Sequence, residues 1–418
     1  MSSPAQPHAA ADRPYVARPY HRDWLLTQAR RLLDFFGNAS VNPLGGFHFL
    51  DGSGRPLHAA PRGTGPEREL YATCRMVHCF AAADLLGHPG AAEIVDHGMA
   101  YLLDRHRDRI HGGYVWGLDD EGVTRGEKLA YGHAFVLLAA ASAGEVGHPR
   151  ARDLHDDIMA VILDRFWDDE AGAMREEFAR DWSQISTYRG QNSNMHATEA
   201  LLAAFEAWGD PRCLTMAERI ADLIINRHAR AAGWVVLEHF DADWAADRAY
   251  AGDPMFRPRG TTPGHALEWA RLLIQLWQLG GRRHAWMAEA AAALFRTAVA
   301  TGWDRRRGGF CYTLDWDNRP DVASRFWWPA CEGAAAAATL RDSLGDADFE
   351  LWYRRIWAVL DRDFIDHAQG GWWPEVDAAG APQSTVFTGK PDIYHALQAC
   401  LIPLVPASAG LMRGLKTL

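Results

Sequence analysis

Six short stretches of the 418-residue chain carry chemically capable side chains at helical spacing. Tyr71 and Arg75 are four apart, as are Tyr131 and Phe135 with His133 between them, Asn192 and His196, and Trp328 and Glu332. His265 and Glu268 are three apart, as are Asp392 and His395. Such spacings put both members of a pair on one helical face. Taken singly, each has an ordinary explanation. A lone histidine on an apolar helix is usually a satisfied core residue, a lone Arg75 would pair with a nearby carboxylate, and Trp327-Trp328 would be core. Six pairs in equivalent places are harder to assign to packing, because ionisable residues are rarely buried without a partner or a task. Gathered at one end of a barrel, they would line a cup with an arginine, three histidines, carboxylates and aromatic rings.

The chemistry open to such a cup is limited. The chain has no G-x-S-x-G elbow, no Walker loop and no dinucleotide-binding glycine fingerprint. His265-x-x-Glu268 and Asp392-x-x-His395 have helical metal-ligand spacing, but Arg75 nearby would repel a cation, so no metal is expected. Histidine pairs suit reversible proton transfer, Arg and Glu suit binding of hydroxyls, and Trp suits the apolar face of a sugar ring. That set favours proton transfer on a carbohydrate. A glycosidase, which needs two carboxylates flanking a bond, is the competing reading, with Glu268, Glu332 and Asp392 available.

The elements that must position these residues form a repeat. Glycine followed by alternating apolar residues recurs at Gly45-Gly46, Gly112-Gly113, Ala171-Gly172, Ala232-Gly233, Gly308-Gly309 and Gly370-Gly371, at steps of 67, 59, 61, 76 and 62 residues. Several copies run into Asp/Gly turns, as expected of short β-hairpins. Between hairpins the period becomes helical, two Ala/Leu-rich stretches to an interval, broken at Gly87-His88-Pro89, Gly147-His148-Pro149 and Gly209-Asp210-Pro211. Six helix pairs predict an all-α fold, an (α/α)6 barrel with short β-hairpins at one end and the first helix of each pair facing inward. An open helical solenoid is the alternative. The expected organisation is a disordered lead-in over 1–18, a single barrel domain over 19–405 and a surface tail over 406–418. The long segment 241–262, just before His265, is expected to overhang the cup.

Composition excludes other classes. The net charge of −10 argues against a nucleic-acid footprint. No apolar stretch reaches 18 residues, so no membrane span is expected. Cys74, Cys79, Cys213, Cys311, Cys331 and Cys400 form no C-x-x-C pair. Six free thiols and no apolar signal core at the N-terminus predict a cytoplasmic protein. A homo-oligomer is compatible with the sequence.

Five segments carry a resemblance to a known family. They are Thr73-Cys74-Arg75-Met76, Gln191 to Ala200, Pro263 to Leu272, Trp327 to Gly333 and Gly389 to Ala399. In order and over residues 20–405, they resemble the N-acylglucosamine 2-epimerase superfamily. Lys390-Pro391-Asp392-Ile393-Tyr394 is most similar to its aldose–ketose isomerase branch. The resemblance implies an (α/α)6 barrel and a cofactor-independent isomerase acting on a monosaccharide, with D-mannose and D-fructose as the leading pair and D-lyxose as a related aldose. It implies catalytic roles for His265 in ring opening, for His395 in proton transfer through a cis-enediolate, and for Arg75 at the developing oxyanion. It implies substrate contacts from Tyr131, Asn192 (with Asn194 as the neighbouring alternative), His196, Glu268, Trp328 and Glu332, the last of which could instead orient a histidine. A sulfoquinovose isomerase, a sugar 2-epimerase, an inverting glycosidase and a non-catalytic binding protein are the alternatives.

Overall fold

The computed structural model describes residues 13–57 and 67–418. Its helices make two concentric rings. The inner ring is α2 (Leu70–Leu85), α4 (Ala130–Glu145), α6 (Gln191–Trp208), α8 (Pro263–Leu279), α10 (Trp327–Leu344) and α12 (Tyr394–Leu401). Each packs on the next, and α12 packs back on α2. The outer ring is α1 (Pro19–Ser40), α3 (Ala91–Tyr101), α5 (Ala151–Val161), α7 (Pro211–Ala221), α9 (Trp286–Gly302) and α11 (Ala347–Val359). The inner helices have almost no exposed face, and runs such as Ala139–Ala141 and Ala334–Ala338 are buried throughout. Small side chains let neighbouring backbones approach closely. The outer helices bury one stripe only, as surface helices do.

The expected barrel of twelve helices is present, with the more apolar helix of each pair inside. One detail differs. The last interval, after Gly370-Gly371, holds a single inner helix, α12. Its outer partner is α1, from the other end of the chain. The first and last repeats are thus one unit, shared between the two ends. The His-Pro turns also have a common job. His88 reaches Asp34 on α1 and His148 reaches Asp96 on α3, each at 3.2 Å and each one outer helix back.

Short strands staple neighbouring repeats at the end where the inner helices begin. The chain entering each inner helix pairs with the hairpin that follows the next outer helix. The bridges are Arg68–Leu118, Lys128–Phe178, Arg189–Phe240, Thr261–Leu314, Arg325–Val376 and Lys390–Leu50. Five of the six entering residues are buried cations. Lys128, Arg325 and Lys390 repeat one device. Each donates to the first carbonyl of a Gly-Gly turn (Gly112, Gly308 and Gly370) and to an acid at the end of an outer helix (Asp108, Asp363 and Asp366). Glycines 112, 308 and 370 have φ between 75° and 82°, the left-handed region that favours glycine.

Both expected chain ends need correction. Residues 1–12 lie outside the described residues, but 13–18 are already packed. Val16 is buried, and the Tyr15 N–H donates to Glu350 Oε1 at 2.8 Å. Residues 406–418 are not a loose tail. They form a short helix, α13 (Leu411–Leu415), that packs on α2 and α4 and buries Met412 and Leu415. The Gly410 N–H donates to Glu206 Oε1 at 2.8 Å. The segment caps the barrel end away from the hairpins. All six cysteines are buried and unpaired. Among the described residues no helix is long and apolar enough to cross a membrane.

Candidate active site

At the hairpin end, the first turns of the inner helices surround a cup. Its walls include Tyr71, Arg75, Tyr131, Asn192, His196, His265, Glu268, Trp328, Asp392 and His395. The spacing expected from sequence has a simple geometric cause. The residues sit in the first two turns of helices whose N-termini all face the same opening, so one step along each helix moves one layer down the cup. Gly264 contributes by omission, since a Cβ there would collide with the Trp328 ring.

Trp328 on α10 stands between two histidines. Its ring lies 5.1 Å from that of His265 on α8 and 5.6 Å from that of His395 on α12. Each histidine is held from behind by a buried carboxylate. His395 Nδ1 is 2.8 Å from Glu332 Oε1, and His265 Nδ1 is 2.9 Å from Glu238 Oε2. A carboxylate only accepts, so in each pair Nδ1 carries a proton and Nε2 is left as the working nitrogen. Gln191 fixes the second pair further. Its Oε1 accepts from Trp269 Nε1, which turns its amide nitrogen toward Glu238 at 2.7 Å. Burial disfavours charge on Glu238, but His265 outweighs it and holds the carboxyl below its ordinary range. Arg271 and His395 do the same for Glu332.

Arg75 enters from α2. It donates to Asp392 at 2.5 Å and to the Tyr131 hydroxyl at 2.9 Å, and its guanidinium lies 4.6 Å from the rings of Phe135 and Tyr394. Below the cup lies a second buried layer. Arg271 is 3.3 Å from both Glu332 and Glu199 and 3.8 Å from Glu268. Tyr394 donates to Glu199. Glu268 has no hydrogen-bond partner among the described residues. Burial, with the Glu332 and Glu199 carboxylates beside it, pushes its acid well above the usual range. Burial also lowers His196 to about 4.

Every residue expected at the site from sequence lines the cup except Glu332. That carboxylate is 1% exposed and lies beneath His395, so its contact is with the histidine and not with the cavity. Of the two asparagines, Asn192 faces the cup, while Asn194 is bonded to the backbone of Met174 and Gly190. His133 points away and accepts from the Tyr114 N–H. Lys390, part of the most branch-like segment, is a hairpin clamp outside the cup. Of the two pairs with metal-ligand spacing, His265 is taken by Glu238 and Asp392 by Arg75. His196, Glu199 and Glu268, and also Glu268, Glu332 and His395, do come together, but Arg271 supplies the positive charge between them. From segment 241–262 only Met255 and Phe256 reach the cup. Asn192 Nδ2 donates to the Phe256 carbonyl at 3.2 Å, and the Tyr312 hydroxyl donates to the carbonyls of Pro254 and Met255. Trp244 packs on Phe240, and Tyr250 stacks on Tyr188.

Glu238 and Arg271 are the functional neighbours that sequence reading misses. Glu238 ends the apolar run Val235-Val236-Leu237, and a carboxylate in such a strand was the available signal. A second polar cavity, lined by His78, Glu199, Glu206, Arg271 and Gly410 among others, lies between the buried layer and the C-terminal segment and holds neither cup histidine.

Similarity to known proteins agrees with this geometry. The model of the N-acylglucosamine 2-epimerase family matches residues 45–399. A D-mannose isomerase of Thermobifida fusca is 44% identical over 411 residues, 96% of this chain and 99% of that one. A D-mannose isomerase of Pseudomonas cannabina pv. alisalensis is 43% identical over 409 residues, 95% of this chain and 96% of that one. The crystal structure of a D-mannose isomerase superposes with a TM-score of 0.85 at 30% identity, covering 96% of this chain and 99% of that one. The chain is a sugar isomerase or epimerase, and it belongs to the N-acylglucosamine 2-epimerase family.

Proposed function

We propose that the protein interconverts D-mannose and D-fructose without a metal or organic cofactor. The observation that carries this reading is the pair of histidine–carboxylate dyads flanking the Trp328 ring. The sugar lies against Trp328 with C1 and C2 between the dyads. His265 Nε2 takes the O1 proton and hands it to the ring oxygen as the bond between that oxygen and C1 breaks, which opens the ring. His395 then removes the C2 proton, and the electron pair moves through a cis-enediolate. The same proton returns to C1 while the O2 proton passes to O1, giving the ketose. Arg75 and the six inner-helix N-termini present positive charge to the developing oxyanion, an effect worth about 2.7–4 kcal/mol for one well-placed donor. Tyr131, Asn192, His196 and Glu268 bind hydroxyls.

Two competing chemistries are less well served. A glycosidase needs two free carboxylates across a bond, but Asp392 is tied to Arg75 and Glu332 to His395. A sulfonated sugar needs uncompensated positive charge, and Arg75 already has a carboxylate partner. The test is incubation of the EDTA-treated protein with D-mannose in D₂O, followed by proton NMR. Fructose with little deuterium at C1 is expected. Glucose in place of fructose would move the protein to 2-epimerisation, and dependence on restored metal would overturn the mechanism.

A further inference from the structure

A buried carboxylate outside the cup holds part of its wall. Glu375 is 0% exposed and lies in the short strand that pairs with Phe326, the residue before α10. Its Oε2 accepts from the Thr385 N–H at 2.9 Å and the Thr385 hydroxyl at 2.6 Å. Its Oε1 accepts from the Val386 N–H at 2.6 Å and the Phe387 N–H at 2.7 Å. A buried carboxylate is costly unless its lone pairs are met, and here all four donors come from three consecutive residues. The same segment is pinned again downstream. The Lys390 N–H donates to the Leu50 carbonyl at 3.0 Å, and Gly389 takes a φ of 65° where a Cβ would collide with that carbonyl. Thr385 and Thr388 are exposed, whereas Phe387 between them is buried with its ring in the cup wall.

Phe387 stands on the His395 side of the cup. Its ring meets Trp327 edge-on at 5.0 Å, and Trp327 meets the His395 ring edge-on at 6.2 Å. Other neighbours enclose the rest of that imidazole. Trp328 covers it at 5.6 Å, Tyr394 lies edge-on at 4.9 Å, and Glu332 takes Nδ1. The approach left to Nε2 is through the cup, past Phe387, Trp327 and Pro391. We propose that Phe387, set in place by the Glu375 clamp, keeps bulk water from His395 Nε2 while the proton taken from C2 rests there. Phe387 is the shield and Glu375 a positioning residue that acts through it. The inference rests on the reading of the cup as an isomerase site.

The proposed reaction needs such a shield. His395 Nε2 takes the C2 proton, the electron pair of the C2–H bond enters the enediolate, and the proton is due at C1. If water reaches the imidazolium first, the proton exchanges and a solvent proton is delivered to C1 instead. Excluding water from a site prevents leakage of this kind. The bonds made and broken are the same on both routes. Loss of the shield therefore changes where the hydrogen at C1 comes from and leaves the product a ketose.

The test runs the parent, Phe387→Ala, Phe387→Leu and Glu375→Gln with D-mannose in D₂O to early conversion and reads deuterium at C1 of the fructose by proton NMR. That content is a ratio within the product, so a variant that is merely less active or less abundant leaves it unchanged. The parent is expected to show little deuterium. Phe387→Ala and Glu375→Gln are expected to raise it by about threefold or more. Phe387→Leu opens a smaller gap, serves where the alanine variant fails to fold, and is expected to fall between. Abundant deuterium in the parent would overturn the shield and leave the isomerase reading intact, and variants that match the parent would overturn it too. Modification by diethyl pyrocarbonate, followed by peptide mass spectrometry, needs no substrate. His395 is expected to react faster in the variants than in the parent, with His265, on the other side of Trp328, unchanged. If the parent does not convert mannose, the reading of the cup fails. The shield then stands on the faster modification of His395, and it falls if both histidines keep their parental rates.

Discussion

Glu268 and Glu332 are both buried carboxyls at helical spacing from a cup residue, yet their surroundings push them in opposite directions. Glu332 has Arg271 and the His395 ring to hold its charge, whereas Glu268 has no hydrogen-bond partner among the described residues and two carboxylates beside it. Isosteric substitution should separate them. Glu268→Gln puts a neutral donor where burial and two carboxylates already disfavour charge, and is expected to cost less than tenfold in kcat. Glu332→Gln removes the charge behind His395. It is expected to lower kcat by a large part of the roughly 10²–10⁴-fold that positioned acid–base catalysis supplies, with KM little changed and the pH profile shifted. Steady-state kinetics across pH would check both, and equal effects would contradict the assignment. The histidines themselves were legible, because helical spacing is a property of sequence. Glu238 was harder to see, since it approaches His265 from a hairpin 27 residues upstream, and only folding brings the two together. Glu332 was legible as a site residue, with orienting a histidine as its alternative role, but i to i+4 spacing could not choose between the two, because it tells which face a side chain shares and not how deep it lies.

At the scale of elements, the repeat was read from the Gly-Gly hairpins, and the helices followed from the change of period. The clamps were not read, although their sequence trace is plain. Arg68, Lys128, Arg189 and Arg325 each precede an inner helix by two residues, and Lys390 precedes α12 by four. The corresponding residue before α8 is Thr261, where the chain has just completed the longest inter-helix segment. A lone cation before a helix reads as surface until the hairpin it clamps is known. Lys128 and Asp108 are both fully buried. Arg180 still meets Asp108 at 3.0 Å when the lysine is gone, so Lys128→Met chiefly leaves the Gly112 carbonyl without its donor and is expected to cost about 1–3 kcal/mol. Urea denaturation would show it. A loss below about 1 kcal/mol would mean that the clamp is ornamental.

Taken as a whole, the molecule buries neutral histidines in number. Burial lowers His78, His106 and His196 to about 4 and His133 to about 3. Their unfolded counterparts titrate near 6.5, so between pH 6.5 and 4 the unfolded chain binds more protons than the native one. Stability therefore rises with pH across that window and is lost as pH falls through it. Thermal melts should show Tm dropping steeply from pH 6.5 to 5 and flattening above 7, and a flat profile would contradict the burial of these rings. The C-terminal cap adds a second expectation. Deleting residues 407–418 uncovers Met412 and Leu415 contacts on α2 and α4, each worth about 1.5–3 kcal/mol, and is expected to lower Tm before it lowers kcat. The cap was not legible in sequence because α13 is only five residues long and its period is too short to register.

The seam between α1 and α12 also bears on how the protein is made. Tyr15 meets Glu350 across 335 residues, and Leu50 meets Lys390 at the same seam. Contacts of such separation close late. On the ribosome, α1 must wait with its apolar stripe uncovered until the final repeat has emerged, which is a long exposure to aggregation. His395 arrives on that same final repeat. An unfinished chain therefore has most of a sugar-binding cup but only one of its two histidine dyads, and catalytic competence appears only when the ring is complete.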